Sequence, residues 1–440
     1  MIAWTNYPNQ QLKCQTFQKG HYMSKNNLPG NGINYDDAWL VDGCRTGFAE
    51  VNSALSNISA TDLGIAVAKG LFARNFVNAD EIDTLLTANL SPSDFDAYFL
   101  PRHIGLYSGM RQSVPAMQLQ RLCGSGFELV AQAADYLQLG KAHTVMCVGT
   151  EVMSRNPISC FTNRGGFKLG QVDFRDYLLE SFFDTGAGVP MGKTAENLAE
   201  RYGINRDQVD QFAIKSFQRA NKAKSSGYLD DEIIELTNQT FQCEGLVDRH
   251  LKLPRGVVSF ATDEHVRETS EVSLKKLRPA FKKEGVQTAG NSSGIVDGAA
   301  AIVVANGDYF KQSNNKPLAR VLAATAVGVD PSVMGIGPVP AIKKLLELSG
   351  LSLNDIDLFE INEAFGAQYL SVEKELGIDP EIANVNGGAI AYGHPLAATG
   401  VRCTLTLARE LKRSRKRYGI ASACVGGGQG SAILIENTDI

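Results

Sequence analysis

The sequence predicts an α/β protein made of two similar halves with a third, inserted stretch. Three observations carry that expectation. At 440 residues the chain is too long for one compact core and suggests two or three domains. Apolar strand-like runs alternate with helical patterns, the order expected of α/β units with buried strands. The chain also resembles itself: ADEIDTLLTAN from Ala79 matches LNDIDLFEINE from Leu353 at an offset of 274 residues.

The same offset sets Cys123-Gly-Ser-Gly126 opposite Ala397-Ala-Thr-Gly400. With a slip of three residues, Cys147-Val-Gly149 falls opposite Cys424-Val-Gly426. Each half then reads as helix, acidic turn, apolar strand, Gly-rich start of a second helix, and second strand. In the first half these are the helical run before Gly70, the strand near Ile82–Leu86, the helix after Cys123 and the strand Thr144–Gly149. Phe127, Val130, Ala134 and Leu137 recur at helical spacing and form one buried stripe. Similarity of apolar strands in general is the competing account of the duplication.

The expected divisions are a polar arm over 1–35, a first half over 36–153 plus 295–316, an insertion over 154–294, and a second half over 317–440. In the insertion, Asn205 and Gln208 form a capping box ahead of an apolar face of Val209, Phe212, Ala213, Phe217 and Ala220. Lys252, Arg255, Lys275, Lys276, Arg278, Lys282 and Lys283 follow. They read either as a solvated face or as a lid that offers cations to a phosphate-bearing ligand; composition alone favours the first.

An apolar fraction of 44% with 20% charged residues is that of an ordinary soluble globular chain. A net charge of −4 and a pI near 6.0 do not point to nucleic acid. No apolar run reaches the roughly 20 residues of a membrane span, and the first 35 residues lack the apolar core of a signal peptide. Met23 is an alternative start. A cytoplasmic location is therefore expected, with the eight cysteines reduced. They form no CxxC pair, so no metal site is expected, and each reads as core filler or as chemistry.

Four segments join reactive side chains to glycine or to a turn: RLCGSG around Cys123, NEAF from Asn362, GGAIAYGHP with His394, and CVGGGQG from Cys424. Cys123 precedes a helix, where backbone N–H groups and the helix dipole should lower its thiol pKa and favour a nucleophile. A buried cysteine acting as a small hydrophobe is the competing account. His394, in a Gly-rich turn before Pro395, gains meaning from a thiol partner. The duplication puts it and Cys123 at equivalent helix starts, which a pseudo-twofold packing would bring together. Cys424 follows the apolar run Tyr418–Ala423 and precedes three glycines whose N–H groups could approach an oxyanion. A nucleotide-binding loop would lead into a helix, but Ser431–Ile435 reads as a strand.

These four blocks resemble the signature of the thiolase family. The similarity runs from about Asp37 to Asn437 and takes in MGKTAEN (191–197), KLRPAF (276–281), AGNSSG (289–294), DGAAA (297–301) and DPSVMGIGP (330–338). It implies a fold of two five-stranded halves in αβαβα layers with an inserted loop domain, and a homodimer or homotetramer. It implies an acyltransferase that makes or cleaves 3-ketoacyl-CoA, with acyl-CoA and CoA as partners and neither metal nor redox cofactor. Cys123 corresponds to the acyl-accepting nucleophile, His394 to its base and Cys424 to a second acid/base. Asn362 corresponds to the holder of an oxyanion-hole water, and Gly426 to a backbone donor. Ser293, Arg255 and Ala289 fall at coenzyme A contacts, and Met191 and Met334 at the substrate pocket. A ketoacyl synthase of related fold would pair one cysteine with two histidines or a histidine and an asparagine, and a non-catalytic acyl-CoA carrier would have lost reactive residues. Pro190 replaces a histidine common in acetoacetyl-specific members, so a broader chain-length range is expected.

Overall fold

The computed structural model describes residues 28–440 apart from Thr162 and Asn314. Most of the expected polar arm, with the alternative start Met23, lies outside the described residues. The first half contains β1 (Trp39–Thr46), α1 (Ala60–Phe72), β2 (Thr84–Ala88), β3 (Ala116–Gln118), α2 (Ser125–Gln138), β4 (Thr144–Glu151) and β5 (Val296–Ala305). Between β4 and β5 the insertion carries α3 (Met191–Tyr202) and α4 (Arg206–Ser225). The second half contains β6 (Ala319–Gly328), α5 (Pro338–Ser349), β7 (Leu358–Ile361), α6 (Gly366–Leu376), α7 (Leu396–Ser414), β8 (Tyr418–Val425) and β9 (Gln429–Glu436).

The strands form one sheet path in the order β7-β8-β9-β6-β1-β5-β4-β2-β3. The halves meet where β6 pairs antiparallel with β1, Ala319 opposite Leu40 and Arg320 opposite Trp39. Read outward from that junction, both halves have the same sequence of elements. The offset found in the sequence carries through to pairing: Leu85 on β2 pairs with Ala116, and its counterpart Phe359 on β7 bridges to Ala383. The fifth strand of the second half is reduced to that one bridge. The insertion occupies the connection that in the second half is only the turn Gly426–Gly428.

Three packed cores give the layers. One cluster joins α2 and α7 to strands of both halves, α1 covers the outer face of the first half, and α5 and α6 cover that of the second. β4 and β5 are buried along their whole lengths, as strands covered on both faces must be. The predicted stripe of Phe127, Val130, Ala134 and Leu137 is buried. The predicted capping box forms, with Asn205 Oδ1 accepting from Gln208 N at 3.0 Å and Gln208 Oε1 from Asn205 N at 2.9 Å.

The pseudo-twofold packing is visible where α2 crosses α7. A Cβ on Gly126 would lie 2.7 Å from Gly400 Cα, and a Cβ on Gly400 would meet the Phe127 amide. These glycines are offset counterparts, and their bare backbones let the two helix starts touch. Behind them, Ala213, Phe217 and Ala220 of α4 pack with Ile390, Ala391 and Tyr392, so the insertion backs the turn that bears His394.

Candidate active site

Cys123 sits in a single turn of 3₁₀ helix, Leu122–Gly124, that runs into α2. The turn is strained and strapped. Leu122 has a left-handed φ of 45°, a conformation that costs a non-glycine residue about 1–2 kcal/mol. Arg121 holds it from both sides: its N–H donates to Ser125 Oγ at 2.8 Å, its Nε to Glu128 at 2.6 Å, and its Nη1 to Gln429 at 3.1 Å. Gly124 has no room for a side chain, since a Cβ would stand 2.8 Å from Val425 Cγ2.

Burial pushes the Cys123 thiol up to about 11, against the pull of the Gly426 N–H and its own N–H on the sulfur, while Glu151 adds to the rise. The expected lowering by the helix start is therefore reversed: loss of hydration outweighs two backbone donors. Such a thiol needs a base at the moment of attack.

His394 lies between Gly393 and Pro395 at the start of α7, and its backbone N–H donates to the Gly294 carbonyl at 3.0 Å. Its Nδ1 is 2.6 Å from Thr399 Oγ, and that hydroxyl donates to the Pro395 carbonyl at 3.2 Å. Since the hydroxyl's one proton is committed, Thr399 accepts from Nδ1–H, and Nε2 keeps its lone pair. Asn362 Nδ2 donates to that Nε2 at 3.3 Å. Burial, reinforced by the Arg402 guanidinium, holds the imidazole down at about 3, so it is a neutral acceptor. Asn362 is buried, and its Oδ1 has no hydrogen-bond partner. It is free to hold a water or a substrate atom.

Thr399 stood in the offset match but attracted no role from its residue type. Thr399→Val keeps the branched shape and removes the hydroxyl. We expect kcat to fall roughly 10- to 100-fold with KM nearly unchanged, the scale of a mis-set catalytic imidazole. Steady-state rates that match the wild type would show that Thr399 does not set the tautomer.

Cys424 is next to last in β8, is fully buried, and packs with Met334, Ala364, Met191 and Phe365. Burial and the neighbouring Cys123 push its thiol well up. A cavity of about 930 Å³ is lined by His394, Met191, Ala289 and Ser293 together with Pro190, Leu179, Phe182, Phe183, Phe281 and Phe365. Asn362 joins it through His394, and Cys424 and Met334 through Met191 and Phe365. Gly426 faces the Cys123 sulfur.

Arg255 is not brought into this group. It lies in the exposed turn Pro254–Val257, and neither it nor Lys252, Lys275, Lys276, Arg278, Lys282 or Lys283 lines the cavity. Lys275 pairs instead with Glu271, and Lys282 with Glu200. The cation at the cavity is Arg175, bonded to Asp173 at 2.7 Å and Glu180 at 3.3 Å. The insertion borders the cavity mainly with apolar side chains, which charge counting could not reveal. Among the described residues no group of three or more His, Cys, Asp or Glu side chains is placed to hold a metal ion. No described helix is long and apolar enough to cross a membrane.

Two family models match the chain: "Thiolase, N-terminal domain" over residues 38–308 and "Thiolase, C-terminal domain" over 315–437. The mitochondrial 3-ketoacyl-CoA thiolase of Bos taurus is 42% identical over 402 residues, 91% of this chain and 98% of the relative. The acetyl-CoA acetyltransferase of Allochromatium vinosum is 39% identical over 404 residues, covering 90% and 98%. The crystal structure of human mitochondrial 3-ketoacyl-CoA thiolase in complex with CoA superposes with a TM-score of 0.85 at 41% identity, covering 91% of this chain and 98% of that one.

Proposed function

The chain belongs to the thiolase family and is an acyltransferase, and from that premise we propose that it cleaves and forms 3-ketoacyl-CoA through an acyl group carried on Cys123. The observation that supports this most is what surrounds the sulfur. Two backbone N–H groups face it and Cys424 neighbours it, and the packing partners of Cys424, Met191 and Phe365, line one cavity with His394, whose Nε2 accepts from Asn362.

In the degradative direction His394 Nε2 takes the thiol proton as the Cys123 sulfur attacks the keto carbon. The N–H groups of Cys123 and Gly426 receive the resulting oxyanion. The bond between C2 and C3 then breaks, and its electron pair passes into the thioester enolate of acetyl-CoA. The protonated Nε2 and a water on Asn362 Oδ1 stabilise that enolate oxygen; one such donor is worth about 3–4 kcal/mol. Cys424 gives its proton to C2, and acetyl-CoA leaves. The Cys424 thiolate next takes the proton of an incoming coenzyme A thiol, whose sulfur displaces Cys123 from the acyl group. Cys123 recovers its proton from His394. Every step is a proton or acyl transfer, so the cycle calls for neither metal nor redox cofactor, and its kinetics are ping-pong.

Ser293 and Ala289 lie at the cavity where the thioester would enter, and Met191 and Met334 border the reacting end. The outer edge of β3, unpaired among the described residues and with Met117 exposed, suits assembly as a homodimer or homotetramer. Fatty-acid degradation is the process that fits the substrate range argued next.

At the cavity Pro190 presents no hydrogen-bond donor, and Leu179, Phe182, Phe183 and Phe281 make the walls apolar. Each added methylene in such a pocket changes binding by only about 1–3 kcal/mol. We therefore expect medium-chain 3-ketoacyl-CoAs to be cleaved as well as acetoacetyl-CoA, with graded kcat/KM. Turnover measured over a series of chain lengths checks this; activity confined to the four-carbon substrate would leave a dedicated acetyl-CoA acetyltransferase.

A further inference from the structure

The ends of β4 and β8 are counterparts that serve opposite helices. After β8, the Gly426 N–H is directed at the sulfur of Cys123. At the end of β4 stands a fully buried carboxyl group, Glu151. The offset counterpart of Cys123 is Ala397, in the first turn of α7, and that is where Glu151 points. Its Oε2 accepts from Ala397 N at 3.4 Å and Leu90 N at 3.2 Å. Its Oε1 accepts from Asn89 Nδ2 at 3.2 Å and Ser91 N at 3.3 Å. One helix start thus presents a nucleophile and donors for a transient oxyanion, while the equivalent start holds a built-in carboxyl group.

We propose that Glu151 is a positioning residue for acyl transfer: it pins the start of α7, and so His394, to the loop after β2. The proposal rests on the reading of Cys123 and His394 as nucleophile and base. α7 needs an external anchor, because its cap residue Pro395 offers no side-chain hydrogen bond. Ala397 lies three residues beyond His394, and Leu396 between them lines the cavity. The contact is close enough to require glycine at position 149, where a Cβ would fall on the Ala397 carbonyl.

A charge effect accompanies this geometry. Cys123 is faced by its own N–H and that of Gly426, by Cys424 and by Glu151. Glu151 is faced by Asp297 of β5, whose charge pushes it up, and by the donors on Leu90, Ser91, Ala397 and Asn89. Burial raises Glu151 to about 8, below the value near 11 of Cys123, so the carboxylate is already charged when the thiol ionises. It therefore opposes the thiolate.

The test compares Glu151→Gln and Glu151→Asp with the wild type, reading the pH midpoint of Cys123 alkylation by iodoacetamide on the Cys123 peptide, together with kcat and KM. For Glu151→Gln we expect the midpoint to move down by roughly half a pH unit or more, since a like charge has gone. We expect kcat to drop roughly tenfold or more from misplacement of His394, with KM little changed. Glu151→Asp restores the charge but not the reach, so its midpoint returns toward the wild type while kcat stays low. A wild-type kcat in Glu151→Gln, or a loss carried by KM alone, overturns the proposal. If Glu151→Gln does not fold, Glu151→Asp decides: low kcat at the wild-type midpoint supports it, and wild-type kcat overturns it. Wild-type protein without turnover would instead sink the reading of the site beneath it.

Discussion

Incubated with acetyl-CoA alone, the protein should carry one acetyl group on Cys123, and Cys123→Ala should lose turnover by about 10⁴-fold or more, the scale on which nucleophile deletions fall. No other group among the described residues is placed to take over. Cys147 and Cys403 are fully buried in the central core, and Cys44 lies in the core beneath α1. Among the described cysteines, Cys123 alone combines partial exposure with backbone donors on its sulfur. The substitution should fold, because the turn is held by Arg121 and by the close fit of Gly124 rather than by the thiol. Mass spectrometry of the digested protein reads the label; an acetyl group on Cys424 or a serine would reassign the nucleophile.

The second large effect separates the two thiols. Cys424→Ala should reduce carbon–carbon bond formation and cleavage by about 10²–10⁴-fold, the range of a lost general acid or base. Acyl exchange between acetyl-CoA and coenzyme A should survive better, since it needs only Cys123 and its base. Cys424 is fully buried against Met334 and Ala364, and losing one sulfur from that cluster leaves a small gap without disturbing Cys123. Measuring both reactions on one preparation gives the ratio that matters. Equal losses would make Cys424 a packing residue.

Much of this was legible in the chain itself. The duplication at one offset predicted equivalent helix starts, and Gly126 and Gly400 meet as that equivalence requires. Cys123, His394, Asn362 and Cys424 could be picked out because reactive side chains beside glycines and turns are rare in a sequence. The capping box at Asn205 and the stripe along α2 followed from local spacing, which depends on neighbours a few residues away.

What the tertiary structure decided involves groups far apart in the chain. The ionisation of Cys123 turned on burial, which outweighs a helix start and which no local motif reports. The tautomer of His394 required Thr399 and the Pro395 carbonyl in one geometry. The basic run of the insertion, which composition favoured as a solvated face, stays away from the cavity, and folding turned Leu179, Phe182 and Phe183 to it instead. Glu151 was silent in the sequence, because only the crossing of α2 and α7 brings the end of β4 to the start of α7. Chemistry-bearing residue types and repeats are written in the order of the chain. Hydration, charge and orientation are set by neighbours that only the packed halves supply.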